Sequence, residues 1–425
     1  MKVLHLSTSD YSGGAARGAY WMHKALQQAN VNSMMLVAEK STADPSVIGS
    51  PGITGAQKIV NGIRQTVEYW PLKRYKQKQP GFFSSAIFPS KLVKQVRDID
   101  PDIINLHWVS MGLLRPEYLR QFGKPIVWTL RDMWGFTGGC HYAGACRRYE
   151  QQCGCCPLLG SAQESDLSRQ TWQRKYRAWE QLPMTLVPIS HWLADCARQS
   201  SLFKSKQIEV IPNAVDPEQY YPINKKVARD LLKLPQDKKL ILFGAISPTA
   251  DKRKGFTYLA AALRQLSQCD RWQTQAEAVI FGTDRPARPL NLGLNTAFLG
   301  RLHDDTMLAL AYSAADVMVV PSIQEAFGKT SIEAMACGTP VVSFDSTGLK
   351  DSVVHRQNGY RAQCFCSDDL AAGIMWVLED DARWATLSRC ARSTVTAQFT
   401  FKRQAQRYQA VYLRLLNQAA AHSAD

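Results

Sequence analysis

Short apolar runs, each of strand length, recur along the chain between stretches with helical spacing. In the first half, Val3–Leu6, Ser33–Val37, Asp102–Leu106, Ile126–Leu130 and Leu186–Ile189 predict strands. In the second half, Leu240–Phe243, Ala278–Phe281, Val317–Val320 and Val341–Phe344 do the same. Strand–helix alternation of this kind predicts parallel sheets covered on both faces. Two such sets predict an α/β protein with two doubly wound, Rossmann-like domains. Two prolines and an asparagine in Ile211-Pro-Asn213-Ala-Val-Asp216-Pro217 mark the passage between them, giving domains 1–210 and 211–398. Residues 399–425 follow as a separate element. Phe399 to Leu416 predicts an amphipathic helix with Tyr408, Val411, Tyr412 and Leu415 on one face, and Ala419 to Asp425 is expected to be disordered.

The segment from Pro321 to Val341 concentrates the chemistry. After the strand Val317–Val320, Pro321 and Gly328 punctuate a loop, and Lys329 to Cys337 reads as a helix stopped by Gly338. Glu325 is thereby placed in a loop beyond a strand's carboxyl end, and Glu333 on the helix that this loop feeds. Open α/β sheets bind ligands in that crevice. N–H groups at Gly328, Lys329 and Thr330 would face an anion such as a diphosphate. Glu325 would then hold sugar hydroxyls, and Glu333 a ribose.

This segment, with its Gly-Thr-Pro-Val-Val exit, resembles the donor-binding signature of family 4 retaining glycosyltransferases. The resemblance extends over nearly the whole chain. It implies the GT-B fold, two domains facing a cleft, and sugar transfer from a nucleotide-sugar with retention at the anomeric carbon. Phe327 joins the donor loop on the same resemblance. The terminal helix is expected to pack back on the first domain. Gly13 and Gly14, in a loop between the first strand and a helix, would face the diphosphate and acceptor. Lys254, before Gly255, matches the cation that grips the diphosphate; the family's preceding Arg is replaced in the region of Ala245 and Ile246, and Arg253 would substitute for it. A departing nucleoside diphosphate needs such cations as its charge builds up. Gly282 to Arg285 would line the base or sugar pocket.

The family commonly carries a His before the aspartate that matches Asp132; here Arg131 stands there. Arg131 would donate to a sugar or phosphate oxygen, with His107 or His141 approaching the cleft and a core role for His107 equally open. The commonly proposed front-face course needs no protein nucleophile: the leaving phosphate helps take the acceptor's proton. Glu325 then positions the sugar, and no cofactor is needed for catalysis. Asp304 and Asp305 read as helix caps and not as a metal pair; Ser190 reads as a cap or a ligand contact.

Cysteine usage adds a second theme. Five of eleven cysteines fall between Cys140 and Cys156, within a Gly-rich insertion at 138–157. Cys140, Cys146, Cys153 and Cys156 would supply four thiolates to a structural zinc, with Cys155 or His141 spare. Disulfides, reduced packing thiols and an iron–sulfur centre are the alternatives. A similar Cys-rich stretch, with Trp128-Thr129, Asp132, Trp134 and Thr137-Gly138, occurs in a subgroup of bacterial polysaccharide glycosyltransferases. That likeness implies a glycan acceptor, polyprenyl-linked, in exopolysaccharide or capsule synthesis.

The 425 residues carry a formal charge of +15, unevenly spread. From Lys58 to Arg97 nine cations (Lys58, Arg64, Lys73, Arg74, Lys76, Lys78, Lys91, Lys94, Arg97) stand against Glu68 alone, interleaved with Trp70, Tyr75, Phe82 and Phe83. Such a mixture suits an anionic membrane surface or lipid phosphates, with a solvated face as the alternative. No nucleic-acid module is present, so nucleic acid is not an expected partner. No apolar run reaches the ~18 residues of a membrane span, and no signal peptide is read, so the expected location is the cytoplasm, at the inner face of the membrane. Two other functions fit the fold: a nucleotide-sugar epimerase, and a catalytically idle nucleotide-sugar-binding protein.

Overall fold

The computed structural model describes residues 1–49, 55–244, 251–286, 290–302 and 304–424, with residues 55–58, 60 and 422–424 described by backbone alone. It has two compact units: Met1–Pro212 with Gln404–Asp425, and Asn213–Arg403.

The first unit holds strands β1 (Lys2–Ser9), β2 (Asn32–Glu39), β3 (Val47–Ile48), β4 (Ile103–Leu106), β5 (Ile126–Leu130), β6 (Thr185–Pro188) and β7 (Gln207–Ile208). They form one sheet in the order β3-β2-β1-β4-β5-β6-β7, paired in parallel throughout. β4 and β5 are buried at every position, as strands covered on both faces must be. Trp128 on β5 meets Trp179 and Phe203 edge-on, at 5.2 and 5.7 Å between ring centroids. The last helix belongs to this unit from Gln404 onward. Its Tyr412 hydroxyl accepts from Asn105 at 2.6 Å, and Tyr408 shares a 2.9 Å hydrogen bond with Thr129.

The second unit holds β8 (Lys239–Gly244), β9 (Ala276–Phe281), β10 (Asn295–Phe298), β11 (Val317–Val320), β12 (Val341–Phe344) and β13 (Gly359–Ala362), in the order β10-β9-β8-β11-β12-β13 and again parallel. Its core is aliphatic, built around Ile241, Leu259, Leu263, Val317, Val319, Val342 and Ile374.

Two expectations at the chain's end are corrected. Phe399 caps the preceding helix Asp381–Gln398 and does not start the last one, which runs Phe401–Ala424. Residues expected to be disordered from Ala419 are helical up to Ala424, because three successive alanines favour continuation of the helix; Asp425 lies outside the described residues.

Candidate functional site

In each sheet the strand order reverses once, between β1 and β4 and between β8 and β11. At such a point the loops leaving two neighbouring strands diverge to opposite faces and leave a crevice. Three candidate residues of the second unit, Arg253, Lys254 and Glu325, meet at the β8/β11 reversal. Lys254 follows β8, Glu325 follows β11, and the Lys254 Nζ donates to Glu325 Oε2 at 2.6 Å. Arg253 Nη1 lies 3.8 Å from the same oxygen while donating to the Gln324 carbonyl at 3.0 Å; its Nη2 donates to Asp251 Oδ2 at 2.9 Å. Burial alone would raise the Glu325 carboxyl. Lys254 and Arg253 beside it, with hydrogen bonds from Lys254 and Ser322, hold it below the usual carboxylate range.

The backbone around this cluster is tightly fitted. Gly255, at φ +71°, sits so close to Pro321 that a Cβ there would lie 1.8 Å from the Pro321 carbonyl oxygen. The N–H of Ile323 donates to the Arg253 carbonyl at 2.8 Å, joining the two loops. The loop after β12 closes the other side: Thr347 Oγ1 accepts from the Glu325 N–H at 3.1 Å, and the Gly348 N–H donates to the Glu325 carbonyl at 3.0 Å. Thr347 has a left-handed φ of +50°, rare for a β-branched residue, and its role in holding Glu325 was not visible in the sequence.

Gly328 (φ +83°) starts the helix Lys329–Ala336, with Thr330 partly buried in its first turn. Glu333 is buried one turn further on; Tyr312 donates its hydroxyl to Oε2 at 2.8 Å and Lys329 Nζ lies 3.4 Å from Oε1. The Phe327 ring, next to Gly328 in this loop, is buried against Phe399, 5.6 Å between centroids. Gly282 turns at φ +89° after β9, its N–H donating to the Gly300 carbonyl at 2.7 Å. Ala245 and Ile246, where the missing Arg was expected, lie outside the described residues. Asp304 caps a helix, accepting from the Met307 N–H at 2.7 Å, and Ser190 caps another through the Leu193 N–H at 3.2 Å.

In the first unit, Gly13 (φ +89°) and Gly14 follow β1, with no atom within 4 Å of where a Cβ would stand. Arg131, expected to donate to a ligand, is buried and donates from Nε to His107 Nδ1 at 3.2 Å. His107 Nε2 in turn shares a 2.9 Å hydrogen bond with His5 Nδ1. Burial pulls the Arg131 guanidinium down to about 10 and holds both imidazoles well below their ordinary range. His107 is therefore a core residue. Asp132 is partly exposed and paired: Oδ2 accepts from His141 Nδ1 at 2.6 Å and from Trp108 Nε1 at 2.7 Å, and Oδ1 accepts from the Trp134 N–H at 2.9 Å. Ser84 Oγ meets the other His141 nitrogen at 2.9 Å. The histidine on Asp132 thus comes from the Cys-rich insertion, nine positions on.

Cys140, Cys146, Cys153 and Cys156 line one cavity of about 20 Å³, and all are free thiols. Cys155 points elsewhere, toward the Ala162 carbonyl at 3.3 Å. Among the described residues no group of three or more His, Cys, Asp or Glu side chains converges as a ready metal site.

Residues 12–219 match Glycosyltransferase Family 4, and residues 224–394 match Glycosyl transferases group 1. The chain belongs to this family of glycosyltransferases and has the GT-B fold. A D-inositol 3-phosphate glycosyltransferase of Geodermatophilus obscurus is 35% identical over 227 residues, covering 50% of this chain and 49% of the relative. The match therefore spans about half the length of that relative. Sucrose-phosphate synthase of Thermosynechococcus elongatus has the same fold, with a TM-score of 0.70 at 21% identity over 98% of this chain and 100% of its own. Anabaena HepE, solved with UDP and glucose, gives 0.65 at 19% identity over 97% of this chain and 99% of its own.

Proposed function

We propose that this protein transfers a sugar, with retention at the anomeric carbon, from a nucleotide-sugar to a lipid-linked glycan acceptor during polysaccharide assembly. The observation that carries this reading is the Lys254–Glu325 pair at the β8/β11 reversal, with Arg253 beside it. Two cations there can take a diphosphate, and a carboxylate next to them can hold sugar hydroxyls. The UDP and glucose in the HepE structure, a neighbour in fold, support a nucleotide-sugar as the ligand class. The acceptor rests on the likeness at Trp128-Thr129, Asp132, Trp134 and Thr137-Gly138 and on the basic–aromatic segment from Lys58 to Arg97.

In this mechanism Lys254 and Arg253 leave Glu325 for the β-phosphate as the donor enters, and offset the charge that grows on the leaving group. Glu325, released, orients the sugar, and the helix starting at Gly328 adds its N-terminal dipole. The departing phosphate takes the acceptor proton, so no metal and no protein nucleophile is required. A panel of UDP-, GDP- and ADP-sugars tests the reading. One donor, at a hundredfold excess over its Kd, is expected to stabilise the protein to heat by about 2.7 kcal/mol and to be turned over with an acceptor glycan. Stabilisation without transfer would identify an idle binder, and a donor altered without acceptor would identify an epimerase.

We also propose a structural zinc held by Cys140, Cys146, Cys153 and Cys156. The cavity they line has room for one small ion. Burial pushes the Cys153 thiol up to about 12, and the Gly138 N–H, donating to its Sγ at 3.2 Å, works against that. His141 is committed to Asp132 and Cys155 is turned away, which supports these four over the two others as ligands. Protein purified without chelator is expected to carry about one zinc per chain and to melt lower once it is stripped. Metal-free protein with an unchanged melting temperature would remove zinc from the account.

A further inference from the structure

The helix Gly55–Tyr69 is built inside out. Its inward face is charged: Arg64 and Glu68 are only 4% and 2% exposed. Arg64 pairs with Glu39, and Glu68 accepts from the backbone N–H groups of Ala86, Ile87 and Phe88 at 2.8–2.9 Å. Its outward face carries large apolar side chains beside the exposed Gly62, Gln65 and Thr66. Ile59 and Ile63 are 65% and 52% exposed, and Trp70, in the 3₁₀ turn that continues the helix, is 69% exposed. Residues four and eleven positions apart share one helix face, so the three form a stripe. Among the described residues this unit exposes seven large hydrophobics, and five of them, Ile59, Ile63, Tyr69, Trp70 and Phe82, fall within positions 59–82.

Both buried charges are partnered, so the arrangement stands on its own, but the exposed isoleucines and tryptophan gain from an apolar partner on the outer face. The chemistry beside the stripe says what that is. Lys73, Arg74, Lys76 and Lys78 follow immediately, all exposed and none in an ion pair among the described residues. Apolar side chains that end in a cluster of cations complement acyl chains beneath anionic headgroups. We infer that the stripe Ile59–Ile63–Trp70 and the cations at 73–78 dock the first unit onto an anionic lipid bilayer. Among the described residues no helix is long and apolar enough to cross a membrane, so the contact would lie on the surface. Lys58, whose side chain is not described, is not needed for it.

Vesicle flotation of the full chain, without donor, tests this separately from sugar transfer. Binding to vesicles of phosphatidylcholine with one-third phosphatidylglycerol is expected, and little binding to phosphatidylcholine alone. Lys73→Ala/Arg74→Ala/Lys76→Ala should weaken binding more than tenfold, since each cation near such a surface contributes roughly fivefold. Ile63→Ser/Trp70→Ser should weaken it comparably with the melting temperature unchanged, because both side chains are exposed. Equal binding to neutral vesicles, or no loss in either variant, overturns the inference. So does a concentration-dependent dimer that Trp70→Ser dissolves, since a second copy would then cover the face. Donor-induced heat stabilisation, measured on the same variants, should be unchanged whichever way the vesicles behave.

Discussion

Glu325→Gln is expected to lower sugar transfer by about 10²–10³-fold while tightening the binding of the free nucleoside diphosphate roughly fivefold. Both effects follow from one oxygen. Glu325 Oε2 occupies Lys254 at 2.6 Å and draws on Arg253 at 3.8 Å, so a diphosphate must compete with it for both cations. The amide keeps the shape and gives up the competing charge, worth about 1 kcal/mol at a partly exposed site. It also gives up the acceptor that would orient sugar hydroxyls. The carboxyl lies below its usual range in the folded protein, so its stabilising contribution is complete above about pH 4.5 and fades as pH falls through the lower, folded value. Titration calorimetry with UDP, or whichever diphosphate the donor panel selects, together with a turnover assay, separates the two effects. Weaker binding with turnover intact would take Glu325 out of the donor site.

Gly255→Ala should produce the largest loss of stability in the second unit, about 3 kcal/mol or more. A methyl group would stand 1.8 Å from the Pro321 carbonyl oxygen, on backbone already at φ +71°. Backbone cannot yield as a flexible side chain would, so the β8 loop must lift off the β11 loop, carrying Lys254 away from Glu325. Gly14→Ala is the natural comparison: a Cβ there meets nothing within 4 Å, and melting should be close to that of the parent protein. Equal melting temperatures for the two variants would show that the Gly255 contact does not set the spacing of the loops.

The central strands were legible because burial on both faces writes an uninterrupted apolar run; Ile126–Leu130, Val317–Val320 and Val341–Phe344 have the same ends in sequence and structure. β3, β7, β10 and β13 were not. Each lies at a sheet edge, and β3 and β7 are two residues long. Such strands are fixed by the register of their one neighbour and not by a pattern of their own. The same limit applies to the site. Glu325, Lys254 and Gly328 could be picked out by residue type after a strand, but the 71-residue gap between Lys254 and Glu325 closes only because β8 pairs with β11. Nothing local announces that pairing. Thr347 beneath Glu325 and His141 on Asp132 were hidden for this reason, since both come from loops whose paths are set by their surroundings.

The division of the chain also bears on the order in which it is made. The second unit is one uninterrupted stretch, Asn213–Arg403, whereas the first needs Gln404 onward to give Asn105 and Thr129 their tyrosine partners. On the ribosome, residues 1–212 must therefore wait for a segment translated after the whole of the second unit. Until then Thr129 and Asn105 have each other, at 3.0 Å, but the Asn105 amide N–H lacks its tyrosine acceptor, and the later-made unit can be complete before the earlier one.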